Sequence, residues 1–312
     1  MLSRVADSLY WMSRYMERSD GILRMLKINY ASSQEDLTDE FSWKPVLKIF
    51  TYMTEEEADG IALHSRKVLQ HMVTNRENQN SVYNVVTMAR ENARSVQDHI
   101  SKELWQCLNE FYHLMREGWV EEALENGDPV NVLDVLIKQC LLYYGTADIT
   151  MARGEGNIFM NIGKLLERGI QTATIVDTKF SRQNIQEITA EPADLRYLLL
   201  SLSGYSLYLR TFRSGFEARN VVDLVVLNKQ FPRSVSYSVH KMQFNFERFY
   251  TQRANIDSYN TVSFMMGRIK SKVQYSTAET IIQQGLHSYL QEVITSLNEI
   301  GVALEKHYFA YF

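Results

Sequence analysis

The chain of 312 residues is 45% hydrophobic and 22% charged, enough apolar material for one large or two ordinary globular domains with a sizeable core. A formal charge of −4 at pH 7 and a sequence pI near 6.0 leave no electrostatic footprint for nucleic acid, so none is expected as a partner. Met1-Leu2-Ser3-Arg4 does not lead a basic segment into an apolar core, and no run of about 18 apolar residues follows, so no membrane association is expected and the location read from the sequence is cytoplasmic.

Only 4 Pro and 14 Gly punctuate the chain, and no alternating β-branched run is bounded by turn signals. This predicts an all-α protein built as one antiparallel helical bundle. The first helix is predicted from Ser3 to Tyr30, followed by a polar loop through Ser32-Ser33-Gln34-Glu35-Asp36 and a short helix around Val46 to Met53. Thr54 then has the hydroxyl to cap a turn carrying Glu55, Glu56 and Glu57, whose carboxylates meet the positive end of the helix dipole. Residues 75–80 form a polar break, and Ser81 caps a long helix expected to bend near Ser101 and continue to Met115. Beyond a loop at Asn126-Gly127-Asp128-Pro129, helices are expected over 130–144, 156–178, 192–212, 218–227, 234–250, 258–274 and 277–308. No Gly/Ser/Pro-rich linker divides the chain, so the reading is one domain over 1–312 with two related halves, roughly 1–150 and 151–312.

The relation between the halves rests on a charged stripe that occurs twice. At about 100° per residue, Tyr10, Arg14, Glu17, Gly21 and Arg24 share one arc of the first helix, with Arg18 at its edge. Met160, Lys164, Glu167, Gln171 and Thr174 make the same arc in the middle of the chain, again with an Arg, Arg168, at the edge. A solvated face carrying i,i+3 and i,i+4 ion pairs is the ordinary explanation of such a stripe. Two details oppose it: the first stripe uses only Arg as its cation, which suits bidentate contacts to carboxylate or phosphate, and Gly21 sacrifices helix stability as if another backbone or a ligand came close. A third stripe is predicted on the Ser81 helix, where Thr87, Arg90, Arg94, Gln97, Asp98 and Ser101 share an arc. Facing inward together, the three would form a positive cleft tempered by Glu17, Asp98 and Glu167, suited to an anionic group.

Other signals are weaker. Asn92 falls on the apolar side of its helix and is expected to tie helix to helix. Glu110-Phe111-Tyr112-His113 has the spacing of a di-iron half-site, but it occurs once where such a site needs two copies and two further Glu. Cys107 and Cys140 have no metal-ligand spacing and read as small buried hydrophobes. No phosphate loop or nucleophile elbow is present, and the sequence calls for no cofactor and no metal. Phe231-Pro232-Arg233-Ser234 reads as a helix start capped by Ser234, with Arg233 as a further candidate for the cleft.

Taken together, these segments resemble the bacterial alpha-E family of helical proteins, which is named for a repeated Glu-Arg motif. Met1-Leu2-Ser3-Arg4-Val5-Ala6, Leu9-Tyr10-Trp11-Met12 and Arg14-Tyr15-Met16-Glu17-Arg18 are similar to its opening, with Arg24 at a further Arg position. Ala89-Arg90-Glu91-Asn92-Ala93-Arg94 with Glu103-Leu104-Trp105 is similar to its central motif, and Gly163, Glu167, Arg168, Thr172 and Asp177 to its second Glu-Arg segment. Phe231-Pro232-Arg233-Ser234-Val235 resembles another signature of the family. The chain departs at Asn157, Lys164 and Gly169, where the family commonly has Trp, Arg and Ala; Lys164 keeps the charge without the planar fork.

The resemblance implies an association with circularly permuted ATP-grasp ligases and with transglutaminase-like pathway proteins, and hence a role in forming or modifying amides. It supplies no reaction. The leading expectation is an accessory or substrate-presenting subunit for an ATP-grasp carboxylate-amine ligase, binding an anionic group between Arg- and Glu-bearing helices. Two alternatives stand beside it: an enzyme with Glu17 and Glu167 as acid and base, and a scaffold in which buried Glu-Arg pairs fix helix register.

Overall fold

The computed structural model describes residues 2–35, 42–180, 192–249 and 256–309. Helix accounts for 81% of it and no strand occurs among the described residues, which places the chain in the all-α class. Two compact units are present, one formed by Trp11–Ala152 and the other by Met1–Tyr10 with Arg153–Phe312. The first helix, α1 (Ser3–Glu35), therefore contributes to both.

The Trp11–Ala152 unit adds α2 (Lys44–Phe50), α3 (Glu55–Ile61), α4 (Ser65–Val73), α5 (Val82–Ser95), α6 (Lys102–Leu114), α7 (Gly118–Glu125) and α8 (Pro129–Thr150). Its helix starts follow from hydroxyl and carboxylate caps. Thr54 and Glu57 form a reciprocal box, with the Glu57 N–H donating to Thr54 Oγ1 at 3.3 Å and the Thr54 N–H to Glu57 Oε2 at 2.8 Å. Ser81 and Ser101 accept from Asn84 and Leu104 N–H, and Asp128 accepts from Val130 N–H ahead of Pro129 in the first turn of α8. In the packed unit α6 lies against α5 and α8, and α7 against α4 and α8. Leu104, Leu108, Val85, Leu133 and Leu136 are fully buried. So is Trp43, whose indole N–H donates to Ser65 Oγ at 3.0 Å.

The second unit contains α9 (Glu155–Phe180), α10 (Pro192–Ser201), α11 (Tyr205–Thr211), α12 (Ala218–Val222), α13 (Val235–Glu247), α14 (Ile256–Gln274), α15 (Ala278–Gln284) and α16 (Leu286–Leu304). Wide π turns extend α12 over Asp223–Leu227 and α16 over Glu305–Phe309. Helix α9 is its axis, packed against α13 and α16, and α14 closes on both of those. Apolar residues cover so much of α9 that only a narrow polar strip remains. An aromatic cluster fills one end: Tyr10 and Phe309 lie 5.0 Å apart between ring centroids, Phe159 and Phe249 5.1 Å, and Phe246 stacks on Tyr259 at 5.2 Å. Such pairs contribute about 0.5–1.5 kcal/mol each beyond area burial.

Several boundaries differ from the sequence reading. Helix α1 continues through Ser32, Ser33 and Gln34 to Glu35, where a loop was expected, because Ser33 Oγ donates back to the Tyr30 carbonyl and leaves the main chain helical. Asp36 and Tyr250, assigned to a loop and a helix end, lie outside the described residues. The helix expected through Ser101 stops at Ser95, and a 3-10 turn over Gln97–His99 precedes α6. Ser101 is thus a cap rather than a bend. The expected 192–212 helix divides where Ser203 takes a φ of 57°, and the expected 277–308 helix divides at Gly285, with a φ of 99°. Helix α7 was not foreseen. Its carboxyl end is held by Arg66 from α4, whose guanidinium donates to the carbonyls of Leu124 and Glu125 at 2.8 Å and of Gly127 at 3.2 Å.

Candidate functional site

The first stripe is not a solvated face. Glu17 and Asp20 are fully buried and Arg14 is 9% exposed, whereas Arg18 and Arg24 are half-buried. Tyr144 on α8 donates its hydroxyl to Glu17 Oε2 at 2.6 Å, a short bond to a buried carboxyl group. Arg24 holds Asp20 one turn away, its Nε 2.9 and 3.0 Å from the two carboxylate oxygens. Burial by itself would lower the Arg24 pKa, but the Asp20 charge and hydrogen bond outweigh it and keep the guanidinium above its ordinary value. Arg14 lies over the Trp11 ring at 4.6 Å, and an Arg18 Nη1 donates to Asn80 Oδ1 at 3.4 Å.

Around this charged line α8 presents hydroxyl and thiol groups. Ser13 and Tyr143 share a hydrogen bond of 2.9 Å, and Ser19 lies 3.8 Å from the Cys140 sulfur. Burial raises the Cys140 thiol well above its ordinary pKa, and Asp20 adds to the effect, so the group stays protonated. Sequence reasoning passed over Asp20 and Tyr144. The i,i+4 spacing of Asp20 and Arg24 was the available signal for the first; no local pattern marks the second.

The third stripe takes a different place. Arg90 faces α6, where its guanidinium is 5.2 Å from the Trp105 ring and 4.9 Å from the Tyr112 ring, and its Nε donates to Asn109 Oδ1 at 3.2 Å. Glu91 completes its contacts at 2.6 Å. Arg94 is exposed and pairs with the same Glu91 at 2.9 Å. Asp98, beyond the end of α5, is exposed. The expectation of three inward stripes is therefore corrected for Arg90, Arg94 and Asp98: Arg90 turns to α6, Arg94 meets solvent beside Glu91, and Asp98 falls off the stripe because α5 ends at Ser95. Asn92 likewise donates to the Met88 carbonyl of its own helix at 2.8 Å instead of tying two helices.

In the other unit Glu167 is 3% exposed and accepts from Gln171 Nε2 at 3.3 Å. Lys164, Arg168 and Arg233 are half-buried. One turn apart on α9, Arg168 and Thr172 clasp the segment that opens α13: Arg168 Nη1 donates to the Pro232 carbonyl at 3.2 Å, and Thr172 Oγ1 to the Arg233 carbonyl at 2.8 Å. Ser234 caps α13 by accepting from the Tyr237 N–H at 2.9 Å and donates its own hydroxyl to the Asn228 carbonyl. Two motifs 61 to 64 residues apart in the sequence thus meet through main-chain carbonyls. Further along α9, the buried Asp177 accepts from His287 and Gln291 of α16. Among the described residues no three His, Cys, Asp or Glu side chains cluster to hold a metal, and no helix is long and apolar enough to cross a membrane.

These buried Glu-Arg segments have a counterpart in known sequences. Residues 1–309 match Alpha-E, described as a predicted alpha-helical domain with a conserved ER motif. The chain belongs to the Alpha-E family. Its relatives include uncharacterized proteins of Mycobacterium bovis, 25% identical, and of Mycobacterium tuberculosis strain H37Rv, 24% identical, each aligned over 95% of this chain. The alignment takes up 35% of the length of each of those proteins, so this chain spans about a third of the relatives it matches. No solved structure matches.

Proposed function

We propose that this Alpha-E chain is a bacterial, cytoplasmic accessory subunit of an ATP-grasp carboxylate-amine ligase and that the ligase supplies the chemistry. The observation that carries this reading is the 35% share that the Alpha-E region takes of its mycobacterial relatives, which leaves most of each polypeptide to other parts beside which this region works. The burial of the stripe carboxylates adds support: Glu17 is 0% and Glu167 3% exposed, out of reach of a substrate that a general acid or base must touch. In this reading half-buried Arg18 of one unit, and Lys164, Arg168 and Arg233 of the other, would each offer a cation to an anionic group of the ligase or its substrate. A transglutaminase-like protein of the same pathway is a further partner in this proposal.

Co-expression with the ATP-grasp protein encoded nearest to it, affinity purification and a mass measurement test the reading. A stoichiometric complex is expected; elution of the chain alone overturns it. The full burial of Glu17 also favours a second reading, a network that only fixes helix register. Glu17→Gln and Arg18→Lys separate the two: a site loses complex or product with melting intact, whereas a register network loses its melting transition.

A further inference from the structure

A groove of about 680 Å3 runs between α14 and α16. Two ion pairs cross it, exposed Arg268 with exposed Glu299 at 3.3 Å and half-buried Lys272 with exposed Glu292. His287 lines one end, its side chain 66% exposed. The ring is not loose, because Nδ1–H donates to Asp177 at 2.7 Å while Gln291 Nε2 donates to the second carboxylate oxygen at 2.7 Å. Asp177 sits in the buried face of α9, so a carboxylate anchored in the core fixes the ring of a surface histidine. With Nδ1 engaged by Asp177, Nε2 is the ring nitrogen that His287 presents to whatever enters the groove.

We infer that this groove binds a small zwitterion, an amino acid or short peptide, with its ammonium group at His287 Nε2 and Glu292 and its carboxylate at Lys272 and Arg268. Charge balance selects that class. Two cations and two carboxylates face one another there, so a simple anion or cation gains one partner and meets one repulsion, whereas a molecule bearing both charges is matched at each end. The resident pairs do not bar entry: exposed ion pairs contribute little, and each half exchanges its partner for a ligand charge at small cost. One helical turn, about 5.4 Å, separates Arg268 from Lys272, which gives the carboxylate two successive positions and accommodates ligands of different length. This site is distinct from the Glu-Arg stripes and does not rest on the ligase reading.

Titration of the intact protein with glycine, triglycine, N-acetyltriglycine and triglycine amide, followed through the ring-nitrogen NMR signals of its histidines, tests the inference. Triglycine or glycine is expected to shift the His287 Nε2 signal saturably, with the longer ligand bound more tightly if peptides are the natural occupants. Blocking either terminus is expected to weaken binding by about tenfold or more. Lys272→Met, whose melting transition is compared with that of the parent chain because Lys272 also lies over the Tyr289 ring at 5.1 Å, is expected to weaken triglycine to the same degree, and Asp177→Asn to change the His287 tautomer signal even without ligand. Absence of a saturable shift with both zwitterions, equal binding of the blocked peptides, or an unchanged affinity in Lys272→Met overturns the proposal.

Discussion

Gly163 of α9 lies so close to the main chain of Tyr10 that a methyl group placed on it would stand 2.4 Å from the Tyr10 carbonyl oxygen. The neighbour is backbone, which cannot swing away as a flexible side chain does. Gly163→Ala is therefore expected to lose about 1–3 kcal/mol by overpacking, against an intrinsic helix preference for Ala of about 1 kcal/mol. Gly145→Ala in α8 is its control, because nothing lies within 4 Å of the added methyl group. That variant is expected to gain about 0.5–1 kcal/mol. Urea unfolding of the pair measures both, and equal signs would show that α1 and α9 do not approach as described.

Tyr144→Phe removes the hydroxyl that donates to buried Glu17. A hydrogen bond to a charged group contributes about 1.5–3 kcal/mol, so a loss in that range is expected in chemical denaturation. Ser13→Ala, which removes a neutral bond to the neighbouring Tyr143, is expected to cost about 1 kcal/mol. If the two losses are equal, Glu17 is not ionised at this position.

Asp7 carries a pKa above its ordinary value, first because burial disfavours its charge and second because Glu305 is near. A folded pKa above the unfolded one means that the folded state binds more protons in that window, so stability falls as pH rises through it. At neutral pH the charge is a burden. Asp7→Asn is expected to stabilise the protein by about 0.5 kcal/mol at pH 7, a small figure because the group is only half-buried and solvent screens it. The gain should vanish when melting is repeated below the ordinary carboxylate value of 3.8.

His71 has the opposite sign. Burial lowers its pKa below the ordinary 6.5, and Glu57 only partly offsets that. The unfolded chain then binds the proton more readily, so stability is complete above pH 6.5 and is lost as pH falls toward the lowered folded value. His71→Gln is expected to flatten the melting profile between pH 7 and pH 5.

Burial pushes the Cys107 thiol up to about 11, with Glu110 adding to the effect, and raises Cys140 well above its ordinary value. Neither forms thiolate at neutral pH. Ellman's reagent is expected to leave the native protein unlabelled and to titrate both cysteines once it is unfolded. Rapid native labelling of either would contradict its burial.

Much of this was legible in the sequence because its causes are local. The caps at Thr54, Ser81 and Ser234 and the helical period of α9 each reside within a few residues. The charged stripe on α1 was legible as a pattern, and Gly21 and the exclusive use of Arg argued against solvent; burial of Glu17 and Asp20 agrees with that argument. What the sequence did not announce has a different origin. Arg66 reaches α7 from more than 55 residues away, Arg90 is drawn to rings on α6, and His287 finds Asp177 across 110 positions. Such contacts leave no periodic trace. The over-long helices failed for a related reason: a residue such as Ser203 adopts positive φ because its surroundings impose it, which no propensity announces.

The assignment of Met1–Tyr10 to the unit formed by Arg153–Phe312 has a bearing on how the protein is made. Leu9, Tyr10 and Asp7 find Gly156, Gly163, Phe309 and Glu305, all more than 140 residues downstream. At about 5–20 residues per second, this turn of α1 waits on the order of 15–60 s for Phe309 to be made. Residues 11–152 have their own core and can condense meanwhile, whereas the apolar face of the first ten stays uncovered until Phe309 has been made. Newborn chains halted before Phe309 should therefore be the ones that chaperones hold.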